Sequence, residues 1–162
     1  MNVFVSGGSR GIGRAIALRL AREGAKRVAI GYFRSDSAAE QTADDLRALG
    51  AVPTLVRGNI GSDRVLEEVA ALGPLDVLVH NAASGVSVPA LEATEKHWDW
   101  TVNTNARALL QLAQVAAPHM PEGSSIVAIS SLCPTTTRSQ KMATSGRAPC
   151  VGAQPAMITA WA

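Results

Sequence analysis

The residues best equipped to do chemistry lie in one stretch near the start of the chain, Ser6-Gly7-Gly8-Ser9-Arg10-Gly11-Ile12-Gly13. Gly7 permits a tight turn. Gly11 brings no side chain to hold a diphosphate off the backbone, and Gly13 lets a following helix sit close on the preceding strand. The N–H groups of such a helix's first turn, with its dipole, favour an anion. Arg10 adds a guanidinium whose planar fork suits phosphate oxygens. A second polar group, Arg34 and Ser35, follows the apolar run Val28-Ala29-Ile30-Gly31. A site built for an unphosphorylated ribose carries Asp or Glu at that place. This chain has Gly31-Tyr32-Phe33-Arg34-Ser35, with no carboxylate to repel a phosphate. The two groups together favour NADP(H) over NAD(H) as cofactor.

Other candidates are weaker. His80 ends an apolar run, where a histidine is more often packed or hydrogen-bonded than catalytic. His80, His97 and His119 have no metal-ligand spacing, and no metal is expected. Cys133 and Cys150 match no metal motif and read as reduced thiols.

The elements that must position these groups follow from periodicity and stop signals. Val3-Phe4-Val5 reads as a buried strand before the loop, and Ile12, Ile16 and Leu20 as the inward stripe of a helix closed by Gly24. Val28 to Gly31 is a second strand. Ser37 caps a second helix, which ends near Leu49-Gly50. Val52 to Arg57 is a third strand that delivers Gly58-Asn59-Ile60. Asp63 caps a helix with Val65, Leu66, Val69 and Leu72 on one face. Leu75-Asp76-Val77-Leu78-Val79-His80 is a fourth strand, nearly continuous in apolar residues, as a sheet covered on both faces requires. It ends in Asn81-Ala82-Ala83-Ser84-Gly85. A long helix from Glu95 to Ala117, stopped by Pro118, contains Asn103-Thr104-Asn105. Trp98 and Trp100 cannot share one helix face and read as core anchors or parts of a helix interface. Ser125 to Ile129 is a fifth strand, ended by Ser130-Ser131-Leu132. Strands alternating with helices make the fold class α/β with a parallel sheet.

At 162 residues, 47% hydrophobic and 17% charged, the chain has the composition of one globular domain. No apolar run reaches the roughly 20 residues of a membrane span. The chain enters a strand at once, without a basic segment, apolar stretch or cleavage site, so a cytoplasmic location is expected. The net charge of +2 comes with scattered arginines, which fits a solvated surface rather than a nucleic-acid or membrane partner.

The spacing Gly7-x-x-x-Gly11-x-Gly13 resembles the short-chain dehydrogenase/reductase family, with Ser6 where that family usually has Thr. The resemblance implies a Rossmann-like doubly wound sheet in the order 3-2-1-4-5. It implies NADPH use, because members with Ser9-Arg10 before the second glycine usually take it. It implies that Asn59 and Ile60 contact the adenine, at a turn where the family usually has Asp. Asn81-Ala82-Ala83 matches the family's second fingerprint, in which small residues pass close to the cofactor and the Asn ties neighbouring strands together; Ser84 then departs from the usual glycine. Asn105 matches the active-site Asn, which with a local helix kink holds water in a proton relay. Ser131 matches the Ser that orients substrate, with Ser130 one register away. The long helix corresponds to half of a dimer interface, so a homo-oligomer is expected with that interface incomplete.

Asn-Ala-Ala-Ser-Gly followed by His97-Trp98-Asp99-Trp100 is similar to NADPH-dependent enoyl-[acyl-carrier-protein] reductases of the bacterial type III group. An acyl-carrier-protein-linked or small-molecule acyl substrate in fatty acid synthesis follows. The alternatives are a 3-oxoacyl-[acyl-carrier-protein] reductase and a non-catalytic nucleotide-binding fragment. The resemblance covers residues 1–132 and stops there. The family's catalytic Tyr and Lys follow the Ser at fixed spacing, but this chain has one tyrosine, Tyr32, and Lys141 has no Tyr before it at either family spacing. Residues 133–162 carry Pro134, Pro149, Pro155 and a Thr135-Thr136-Thr137 run, with Ile158 and Trp161 isolated and no sustained period. The sequence therefore reads as C-terminally truncated or frame-shifted relative to the family, with apolar surface left uncovered at the sheet's far edge.

Overall fold

Val3, Phe4 and Val5 point alternately to the two faces of a strand, yet all three are buried, so β1 (Asn2–Ser6) is covered on both faces. It pairs in parallel with β2 (Arg27–Tyr32), from Asn2↔Arg27 to Ser6↔Gly31, and with β4 (Val77–His80), from Val3↔Val77 to Ser6↔His80. β3 (Val52–Arg57) adds beyond β2, and β5 (Ser125–Ile129) beyond β4, both parallel. The computed structural model describes residues 1–86, 88–130 and 158–161. Ser131, Cys133, Lys141 and Cys150 lie outside the described residues. The five parallel strands take the order 3-2-1-4-5 of a doubly wound sheet.

Helices cover both faces. α1 (Gly11–Arg22) and α2 (Asp36–Ala48) close one, over a core that includes Val3, Val5, Ala17, Leu18, Ile30 and Leu46. α3 (Asp63–Ala70) and α5 (Ala108–Ala116) close the other, over Phe4, Val56, Val65, Leu78 and Leu112. α4 (Glu95–Val102) leads into α5 through a π turn, Asn103–Arg107. Among the described residues no helix is long and apolar enough to cross a membrane.

Several local expectations are corrected. The buried stripe of α1 is Gly13, Ala17, Leu18 and Ala21, while Ile12 is 62% exposed. Small residues let the helix lie close on the sheet, and the bulkier Ile16 and Leu20 pack only partly against the core. The N-cap positions are Ser35 and Ser62, so Ser37 and Asp63 sit inside their helices. Asp63 instead places a carboxylate in the first turn, where the dipole favours it. The fourth strand begins at Val77 rather than Leu75. Asp76 is used just before it, accepting from the backbone N–H of Asn2 at 2.6 Å. Trp98 and Trp100 are 71% and 46% exposed and anchor no core among the described residues.

The tail holds one further correction. Ile158–Trp161 forms β6, antiparallel to β5, from Ile126↔Trp161 to Ile129↔Ile158. The outer edge of β5 offers a row of backbone donors and acceptors to any extended segment. Such pairing draws on the backbone, so it needs no alternating side-chain pattern in the tail.

Candidate functional site

The strand order reverses between β1 and β4, and the loops at the C-terminal ends of the strands meet there. A doubly wound sheet opens its ligand crevice at this place. The β1–α1 loop forms one wall. Gly7 and Gly11 have φ of 66° and 56°, the left-handed region that a side chain disfavours. At Gly13 a Cβ would lie 2.2 Å from the carbonyl oxygen of Gly7 and 2.5 Å from Nδ2 of Asn81, so helix, loop and β4 touch at this point. At Gly11 a Cβ would meet nothing among the described residues within 4 Å, so the outer side of the loop is open there.

The loop is held from behind. The Gly8 N–H donates to the Gly31 carbonyl at 3.0 Å. The Thr42 hydroxyl on α2 lies 3.0 Å from the carbonyl oxygen of the buried Ser9, and Arg14 pairs with Asp45 at 2.5 Å. The N-cap residue of α1 is Arg10, whose side chain makes no cap bond, and the helix has no acidic residue in its first turn. Its first N–H groups are thus left for an outside acceptor.

The ends of β2 and β3 continue the crevice. Arg34 is exposed and stacks its guanidinium 5.0 Å from the centre of the Phe33 ring. Among the described residues neither Arg10 nor Arg34 belongs to an ion pair. Ser35 is half-buried at the N-cap of α2. Asn59 is exposed; its carbonyl accepts from the Ser62 N–H at 2.9 Å and the Ser62 hydroxyl at 2.8 Å. Ile60 turns into the core beside Val56 and Val65, so it can offer a ligand its backbone rather than its side chain. Tyr32 stands at the end of β2, where desolvation and the nearby Asp36 carboxylate hold its phenol above the usual value.

The other wall is the segment after β4. Asn81 donates its side-chain amide to the Ser6 and Gly7 carbonyls, each at 3.2 Å, and so ties β4 to the loop after β1. The N–H groups of Asn81 and Ala82 donate to the Ser6 hydroxyl at 3.0 and 2.9 Å. Ala83 is exposed. Asn105, in the π turn, clamps the same segment: its Oδ1 accepts from the Ser84 N–H at 2.9 Å and its Nδ2 donates to the Ser84 carbonyl at 2.7 Å. His80, which the sequence suggests is packed or hydrogen-bonded rather than catalytic, is buried with its Nδ1 3.1 Å from the Ser6 hydroxyl. Ser131 lies outside the described residues, and Ser130 is exposed just after β5.

These residues fit a dinucleotide. The open side of Gly11, the uncapped helix start and the guanidiniums of Arg10 and Arg34 suit phosphates, and no carboxylate stands at the end of β2. The model of the short chain dehydrogenase family matches residues 1–143. The chain belongs to this family. It is 36% identical over 164 residues to a short-chain dehydrogenase/reductase, FrzI, of Cladobotryum sp, covering 98% of this chain and 62% of that one. It is 36% identical over 124 residues to the 3-oxoacyl-[acyl-carrier-protein] reductase FabG of Staphylococcus aureus, covering 74% of this chain and 50% of that one. The crystal structure of a short chain dehydrogenase from Burkholderia cenocepacia in complex with NADP is similar at a TM-score of 0.74 and 36% identity. That match covers 78% of this chain and 54% of the other. The chain thus spans about half the length of the curated relatives it matches, up to 62%.

Proposed function

We propose that residues 1–132 form the NADP(H)-binding part of a reductase whose substrate is a 3-oxoacyl group on acyl-carrier protein. The observation that carries this is the open cradle from Gly7 to Gly13 beside two guanidiniums that have no carboxylate partner among the described residues. The FabG relative supports the 3-oxoacyl substrate over the 2-enoyl one. The enoyl reading is supported by the likeness of Asn-Ala-Ala-Ser-Gly followed by His97-Trp98-Asp99-Trp100. The cofactor, when bound, supplies a hydride. Gly7, Ser9, Gly11, Ile12 and Gly13 hold its diphosphate mainly through backbone, and Arg10 at the helix start faces the 2′-phosphate. Arg34 and Ser35 take the 2′-phosphate, and Asn59 and Ile60 border the adenine. Asn81, Ala82 and Ala83 form the close wall. Ser131 is our candidate to donate to the substrate oxygen, with Asn105 fixing the segment opposite.

A proton must reach that oxygen as it becomes negative, and the one tyrosine stands at the end of β2 with a raised pKa. This observation favours a second reading, a nucleotide-binding unit that does not turn over by itself. Loss of general acid help costs about 10²–10⁴-fold in rate. Calorimetric titration with NADPH and NADH tests the cofactor: tighter NADPH binding supports the assignment, and binding of neither ends it. NADPH oxidation with acetoacetyl- and crotonyl-thioesters tests the reaction. Turnover of the first alone supports the 3-oxoacyl reading, turnover of the second the enoyl reading, and binding without turnover the non-catalytic unit. A cytoplasmic setting and self-association through the face of α4 and α5 belong to the same proposal.

A further inference from the structure

We propose that His80 is a positioning residue, locking the nucleotide loop to the Asn105 turn through one fixed imidazole tautomer. Its significance for catalysis rests on the reading above; its geometry does not. His80 is 3% exposed and ends β4 opposite Ser6 in register. Its Nδ1 lies 3.1 Å from the Ser6 hydroxyl and its Nε2 lies 3.2 Å from the Asn105 carbonyl oxygen.

The proton positions follow from both ends. A carbonyl only accepts, so Nε2 must carry the hydrogen that points at Asn105. The Ser6 oxygen already accepts from the N–H groups of Asn81 and Ala82, which uses both its lone pairs. Its one hydrogen is left to donate, and the acceptor in reach is Nδ1. The two arguments are independent and give the same neutral form. A second proton on Nδ1 would face a hydroxyl with no lone pair to spare.

The result is a directed chain of hydrogen bonds across the crevice. The backbone of Asn81 and Ala82 donates to Ser6, Ser6 to His80, and His80 to the carbonyl of Asn105. The side chain of Asn105 then returns to the backbone of Ser84. The wall after β4 is therefore gripped at both ends, and His80 is the joint between the grips. A histidine that merely fills space would leave the tautomer and the Ser84 clamp independent of each other.

The test uses the protein without nucleotide, so failure of NADP(H) binding leaves it intact. Imidazole nitrogen NMR on the unmodified chain should show His80 as a single Nε2–H tautomer at neutral pH. The Nδ1–H form, or averaging of the two, overturns the proposal. Amide exchange is then compared in His80→Leu and His80→Gln. Leu should speed exchange at Ala82 and Ser84 about tenfold, the equivalent of one lost hydrogen bond. Gln, with one donor and one acceptor, should restore most of the protection. Unchanged Ser84 exchange in the Leu variant, or Gln behaving as Leu does in a folded protein, overturns it. If the Leu variant does not fold, the tautomer measurement decides.

Discussion

A methyl group at position 13 has no room. Gly13→Ala would put a carbon 2.2 Å from the Gly7 carbonyl oxygen, so loop and helix must part. We expect a loss of about 1–3 kcal/mol of stability, the usual cost of overpacking. NADPH binding should weaken with it, read by thermal melting and calorimetry. Gly11→Ala separates the two effects: it clashes with nothing among the described residues but imposes a side chain at φ 56° and fills the open side of the loop. NADPH affinity should then fall further than melting temperature. Arg10 and Arg34 act through charge and the hydrogen bonds of their guanidiniums. Replacing both by Ala should weaken NADPH at least about tenfold, since a hydrogen bond to a charged group is worth roughly 1.5–3 kcal/mol. NADH binding should stay as it was, and equal losses for the two nucleotides would remove the assignment of the 2′-phosphate to these residues.

At the scale of elements, the π turn is the feature most open to test. Asn105→Ala removes both bonds to Ser84, and we expect a loss of about 1–3 kcal/mol with faster amide exchange at Ser84. Denaturant unfolding and exchange read the two effects. No apolar pattern announced this turn. α4 and the turn itself bury no residue, so the buried positions Ala108, Leu112 and Ala116 begin only after it and leave no break of period to read. The strands were legible because their apolar runs are short, continuous and bounded by Gly, Pro or Asn. The glycine loop was legible because spacing and flanking elements agreed. The caps were less so, since Ser35, Ser37, Ser62 and Asp63 are all competent and only the backbone path chooses among them. The stripe of α1 was misplaced because bulk was counted and closeness was not. The bond from Ser6 to His80 joins residues 74 apart, and no local pattern reports it.

For the whole molecule, pH and association give the accessible readouts. Burial holds His80 below its ordinary pKa of 6.5. The unfolded chain therefore binds a proton, in the window below about pH 6.5, that the folded chain refuses. Stability should be complete above that pH and decline as pH falls through the lower folded value. Denaturant midpoints measured between pH 5 and 8 should show the slope, and His80→Gln should flatten it. Trp98 and Leu110, 71% and 58% exposed on α4 and α5, are the large apolar side chains that the proposed self-association would cover. Trp98→Glu with Leu110→Glu should lower the apparent mass in light scattering without lowering NADPH affinity.

The crevice lies on the seam between β1 and β4, and those two strands are made far apart in time. While the chain emerges, β1 can pair with β2 early, but the second wall does not exist until β4 has been synthesised and has docked. A nucleotide therefore cannot guide the first half of folding. It acts as a late clamp that binds only the closed seam and raises stability by mass action. Its kinetic mark should fall on the unfolding rate, and a chaperone or protease meeting the nascent chain would find the cradle half-built whatever the nucleotide concentration.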